Sequence, residues 1–149
     1  MTDLTERGLE TLIVRHLTGE DGTHVLPPLS GRVAETPAPY GGRGYVAGSP
    51  ADFDSVLAID AAQCMAFLWH TQRPALAALG ITEPDDVTSP RRRDLLARIS
   101  REVGNRGVID VLRGGVRSGP ASLVLWHATP SPGNVAAAER HATNRLSLT

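Results

Sequence analysis

Apolar residues recur at helical spacing near the start of the chain, at Leu9, Leu12, Ile13 and Leu17, with His16 on the same stripe. Positions three and four apart share a helix face. The spacing predicts a first helix over about 5–17, opened by the capping pair Asp3 and Glu6 and stopped by Gly19. From Gly19 to Phe53 the periodicity disappears under glycine and proline (Pro27-Pro28, Pro37, Pro39, Gly41-Gly42, Gly44, Pro50). Such a stretch predicts an irregular loop with a short strand near Tyr45-Val46, because glycine and proline favour turns over ladders.

Regular patterning resumes at Asp60 and Gln63, a second capping pair. It opens a helix from Ala61 to about Thr71 with Ala62, Met65, Ala66 and Trp69 along one stripe; Asp54 or Ser55 is the alternative start. A short helix follows Pro74, carries Leu76 and Leu79, and ends at Gly80. Ser89-Pro90 reads as an N-cap with proline in the first helical position. The helix it starts turns Leu95, Leu96, Ile99 and Val103 inward and is expected to close at Gly104. Val108 to Leu112 fits a helical turn or a short strand. Ala121 to Thr129 is apolar almost throughout, which predicts a strand buried on both faces. Pro132-Gly133-Asn134 leads into an alanine-rich helix from Val135 to about Thr143, and residues 145–149 alternate like a strand.

These elements predict one α/β (α+β) domain over residues 1–149, helix-rich, with an incomplete β-sheet. One convincing strand and one terminal strand need neighbours, so the chain reads as the front part of a domain whose remaining strands follow. On that expectation the open edge favours association with other chains.

Composition narrows the classes. A length of 149 residues suffices for a real core, and 41% hydrophobic with 21% charged residues is globular. The net charge of −1 provides no overall basic field for nucleic acid, so any such contact must come from a local cluster. All 15 basic residues are arginine. The single cysteine, Cys64, forbids an internal disulfide and suits a reducing compartment. The polar first residues do not resemble a signal peptide, and no run approaches a membrane span. A cytoplasmic protein without membrane contact is expected.

Candidate chemistry is sparse. The five histidines lack zinc-ligand spacing, and Cys64 has no cysteine partner, so no metal site is expected. Gly41 to Gly48 is glycine-rich, but a chain without lysine has no Walker A loop. Ser49 and Ser118 adjoin glycines outside any GxSxG context. Asp52 and Asp54 flank Phe53 as a weak carboxylate pair. Glu6 and Glu10 lie one helical turn apart. They are either solvated or a source of one carboxylate, Glu10, for a Mg²⁺ site built elsewhere. Arginines cluster from Arg91 to Arg117, and Arg113 and Arg117 flank Gly114-Gly115. Guanidinium forks match phosphates; a solvated helix face is the alternative reading.

Six segments in order resemble the N-terminal region of the restriction subunit of type I restriction enzymes. They are LETLIVRHL (9–17), GYVAGSPADFD (44–54), LAIDAAQCMAFLWHTQ (57–72), VIDVLRGGVRSG (108–119), LVLWHATPSPGN (123–134) and ATNRLSLT (142–149). The resemblance implies a nuclease-like domain of the PD-(D/E)xK type. It implies DNA as substrate, Mg²⁺ for cleavage and ATP for translocation in the complete family protein, and modification and specificity subunits as partners. The family's catalytic Asp and Glu-x-Lys follow the Asn-Arg segment. This chain lacks that Glu-x-Lys and the helicase motor, so it is expected to be catalytically incomplete and to need no cofactor by itself. The residues expected to touch a DNA backbone are Arg106, Arg113, Arg117 and Arg145, with Glu10 as helper to a metal site. The alternative is a non-enzymatic nuclease-like module, or a decayed gene product, that docks to other subunits.

Overall fold

The architecture is that of a computed structural model, which describes residues 6–18 and 46–148. In chain order the helices are α1 (Glu6–Thr18), α2 (Ala61–Thr71), α3 (Arg73–Ala78), α4 (Pro90–Arg106), α5 (Val108–Gly114) and α6 (Val135–Ala142). The strands are β1 (Val46–Ala47), β2 (Phe53–Asp54), β3 (Ile59–Asp60), β4 (Val116–Ser118), β5 (Ala121–Leu123) and β6 (Ser147–Leu148). The fold is α+β, with three two-stranded ladders among the described residues. Most of the expected loop, residues 19–45, lies outside them.

Helix α2 packs against α3 and the β2–β3 hairpin, while α4 packs against α5 and β4. Asp60 caps α2, its Oδ1 accepting from the Gln63 N–H at 3.0 Å, which places the start at Ala61 and not at Asp54 or Ser55. Residues 53–60 instead form the β2–β3 hairpin, whose bend Asp54 holds by accepting from the N–H groups of Val56 and Leu57. Of the expected stripe Ala62, Met65 and Ala66 are buried and Trp69 is half-buried, and Phe67 and Leu68 on the other side are buried as well. A helix apolar all round belongs in a core. Leu76 of α3, Ile81, Leu95, Leu96 and Ile99 of α4, Val111 of α5, and Val116 and Leu123 of the β4–β5 hairpin complete that core.

Helix α4 begins as its sequence dictates. Pro90 sits in the first turn and Ser89 Oγ accepts from the Arg92 N–H at 3.3 Å. It does not stop at Gly104. That glycine continues the helix and the stop is Gly107, at φ 83° and ψ 153°, a conformation nearly restricted to glycine. Of the two readings of 108–112, the helix is the one adopted, as α5.

The strand expected over 121–129 is corrected on two counts. Only Ala121–Leu123 is strand, paired antiparallel with Val116–Ser118, and it alternates, with Ala121 and Leu123 inward and Ser122 exposed. The reason lies in the backbone after Leu123, whose polar groups are satisfied by side chains and not by a second strand. Gln72 Oε1 accepts from the Val124 N–H and Gln72 Nε2 donates to the Val124 carbonyl, both at 2.7 Å. Asn144 repeats the device on His127, with Oδ1 accepting from N–H at 2.9 Å and Nδ2 donating to the carbonyl at 2.8 Å. Each side-chain amide takes the place of a neighbouring strand residue, so no ladder continues.

Helix α1 lies against β1, which pairs in parallel with β6. Its predicted inward stripe is instead largely exposed, with Leu9 at 59%, Leu12 at 50% and Ile13 at 47%. Helix α6 is capped by Asn134 and buries none of its residues.

Glycine substitutions probe these positions. Gly115, at φ 68° and ψ −171°, has no room for a side chain, since a Cβ would overlap the Leu123 carbonyl oxygen. Gly115→Ala is expected to cost about 3 kcal/mol or more, the upper end for a strained backbone position plus a clash. Gly104→Ala, with open space around an added Cβ inside a helix, should raise stability by about 0.5–1 kcal/mol. Urea unfolding of both variants measures the contrast, and a tolerated Gly115→Ala would refute the close approach.

Candidate nucleic-acid interface

The arginines that look alike in sequence separate into structural and available groups. Arg92 is buried, and its Nε donates to the Pro84 carbonyl at 2.8 Å. Burial pulls its pKa down, an effect opposed by the nearby carboxylate of Asp85. Arg91 reaches back to the Leu79 carbonyl at 3.3 Å. Arg92 and Arg93 also line a cavity of about 430 Å³ shared with Asp52 and Asp54, so charge there is balanced.

Two of the four arginines expected at DNA are tied to other residues of the fold, Arg106 at the exposed surface and Arg145 half-buried. Arg106 joins α4, α5 and β4. Its Nη1 meets Glu102 at 3.2 Å and the Gly115 carbonyl at 3.1 Å, while Nη2 donates to the Asp110 carbonyl at 3.1 Å. Arg145 donates through Nε to Gln63 Oε1 at 2.9 Å, tying the chain before β6 to α2. The other two, Arg113 on α5 and Arg117 on β4, are exposed.

Arg117 faces a groove of about 480 Å³ between α4 and the β4–β5 hairpin. Arg98 and Arg101 line the same groove from α4, three residues apart and therefore on one helix face. Arg98 is held by Glu102 at 3.1 Å and donates through Nε to the Arg117 carbonyl at 3.3 Å. Ser118 and Gly119 supply part of the hairpin wall, and Asp94 is the acid lining the groove. Sequence reasoning placed Arg98 and Arg101 in a general cluster without nominating them. Their i, i+3 spacing on a helix whose other face is Leu95, Leu96 and Ile99 was the available signal.

Glu10 is exposed on α1. Among the described residues no three His, Cys, Asp or Glu side chains stand together as a metal site. A Mg²⁺ site that used Glu10 would take its remaining ligands from other residues, phosphate oxygens and water. No helix among the described residues is long and apolar enough to cross a membrane.

Two titratable groups lie near the amide contacts. His141 Nδ1 lies 2.8 Å from the His127 carbonyl oxygen and 3.3 Å from Asn144 Nδ2. The His127 ring tilts against Phe67 at 5.7 Å between centroids, and the His141 ring meets Trp126 edge-on. Burial, then Arg140 and His141, lower the pKa of His127. Cys64, part of the α2 packing, is pushed up to about 12, mainly by burial and secondarily by the Asp60 carboxylate. A thiol so raised is no nucleophile at neutral pH.

No protein-family model matches the chain, and neither does any curated protein or solved structure.

Two expectations follow from the shifted groups. A depressed imidazole pKa in the folded state gives stability that is present above the ordinary value of 6.5 and lost as pH falls below it. The melting temperature should therefore drop between about pH 7.5 and about pH 5.5, the range over which imidazole charges. His127→Phe, which keeps a ring against Phe67, should shrink that drop; an unchanged drop would exonerate His127. The Cys64 thiol should resist iodoacetamide in the native protein at about pH 8 and react in urea. Rapid native labelling would contradict the burial of the sulfur.

Proposed function

We propose that this chain is part of a DNA-cleaving domain of the type I restriction-subunit kind, contributing a helical platform and DNA-backbone contacts but not the cleavage chemistry. One observation carries the reading. The residues that bear the resemblance are those that join distant parts of the chain. Gln72, which closes the segment 57–72, reaches Val124, 52 residues away, and Asn144 and Arg145 of the Asn-Arg segment reach His127 and Gln63. Gly115 of the segment 108–119 occupies a position that excludes a side chain. These are residue types that geometry demands, and a shared fold would demand them again. This supports a restriction-subunit-like scaffold, with DNA as substrate and the modification and specificity subunits as partners.

On this reading the chain's residues bind and orient. Arginines hold phosphodiester oxygens, and Glu10 on α1 lends a carboxylate to a metal site completed by other residues. Mg²⁺, when bound there, would polarise the scissile phosphate. The complete family protein draws on ATP for translocation, and this chain holds no lysine for a phosphate loop.

A second reading has its own support. The exposed Leu9, Leu12 and Ile13 on α1 form an apolar stripe suited to a protein partner. The chain would then be a non-enzymatic module docking to other subunits.

The purified chain should not cut supercoiled plasmid in Mg²⁺, because the sequence contains no lysine to assist the attacking water. Cleavage abolished by Glu10→Gln would overturn this and make Glu10 catalytic. A chimera in which this chain replaces the matching region of a type I restriction subunit should cut DNA and lose activity with Glu10→Gln. An inactive but folded chimera that still assembles with its partner subunits would favour the docking module.

A further inference from the structure

We infer that the groove between α4 and the β4–β5 hairpin is a phosphate seat for the backbone of duplex DNA, formed by Arg98, Arg101 and Arg117. The identity of the ligand rests on the DNA reading above; the location does not, since no resemblance assigns Arg98 or Arg101 a role.

The groove is lined by three arginines and one aspartate, Asp94, and Glu102 beside it pairs with Arg98, which leaves an excess of one positive charge. The cavity near Arg92 and Arg93 balances its arginines with Asp52 and Asp54. The charge excess is therefore local to the α4–hairpin groove, on a chain whose net charge is −1. Its arginines divide the work. Arg98 is anchored by Glu102 and by the Arg117 carbonyl, so one guanidinium is fixed in the floor and braces the strand beside it. Arg101 and Arg117 are exposed, one on the helix and one on the hairpin, and make no hydrogen bond through their side chains among the described residues. Two unengaged forks on opposite walls with a fixed third between them suit the oxygens of a phosphodiester.

The hairpin makes the walls. In β4 the side chains alternate, so Val116 enters the core and Arg117 points outward. The Arg117 carbonyl takes the Arg98 bond, which sets the strand's distance from α4. Gly115 fixes where the strand begins, because the Leu123 backbone leaves no room there for a side chain. Arg113, on α5, stands outside the groove lining.

Seating by phosphate alone gives binding that is weak, indifferent to sequence and steeply salt-dependent, with dissociation constants on the order of 10⁻⁴ to 10⁻⁶ M. The test is fluorescence anisotropy of two unrelated duplexes with the full chain at several salt concentrations. Arg101→Gln plus Arg117→Gln should weaken both duplexes equally, by roughly tenfold or more at low salt. It should also lower the slope of log K against log salt by roughly 2, about 0.9 for each phosphate no longer neutralised. Asp94→Asn should tighten binding, and Arg113→Gln should have the smaller effect. Melting curves identify any variant that has merely unfolded, and Arg101→Gln alone, on an exposed helix face, then carries the test. Parental affinity and slope in a folded Arg101→Gln, Arg117→Gln protein would overturn the groove while leaving DNA binding in place elsewhere. A parent that binds neither duplex would overturn the groove and the DNA reading together. Strong preference for one duplex would replace phosphate seating with base recognition.

Discussion

A segment without strand neighbours must still satisfy its peptide groups, and that constraint organises this molecule. After Leu123 the chain leaves the β4–β5 hairpin and runs along the edge of the core, half-buried or exposed, with no ladder beside it. Gln72 supplies the missing donor and acceptor for Val124, and Asn144 does so for His127. Each amide comes from a different place: Gln72 from the end of α2, Asn144 from just after α6. The segment is thereby fixed at two points. Val124 is exposed and His127 half-buried, so each pairing is worth less than the roughly 1–3 kcal/mol of a dry group, and the amides act chiefly by fixing the path of the segment.

The α4–α5–β4 corner is built on the same principle with charge. Arg106 directs its donors to Glu102 and to two carbonyl oxygens, Gly115 and Asp110, across the junction where the chain reverses. Arg98 uses Glu102 from the other side and reaches the carbonyl of Arg117. Glu102 thus positions two arginines, one that closes the corner and one that floors the groove.

Much of the helical framework was legible in the sequence because its signals are local. Asp60 with Gln63, Ser89 with Pro90, and Asn134 each act within one turn, and each cap forms. The structure departs from these signals where a second local signal or a distant partner decides. Gly104 resembles a helix stop, yet the helix passes through it, because the left-handed turn falls at Gly107. The apolar run after Ala121 looks like a central strand, but nothing local reveals that Gln72 will occupy its ladder positions. The candidate site was read the same way. Arginine clustering was visible, whereas the separation of Arg106 and Arg145 as braces from Arg101 and Arg117 as exposed forks depends on carbonyl and amide oxygens brought in by the fold.

Helix α6 places no side chain in the core. What holds it lies at its ends: Asn134 caps its start, and Asn144, a step beyond its finish, clasps His127. Local opening energies in a folded protein follow buried apolar packing and protected hydrogen bonds. The stretch from about 130 to 143 can therefore exchange its amide protons through a sub-global opening that leaves the α2–α5 core intact. The centre should therefore exchange slowly and the peripheral helix faster, with Asn144 at the boundary between them.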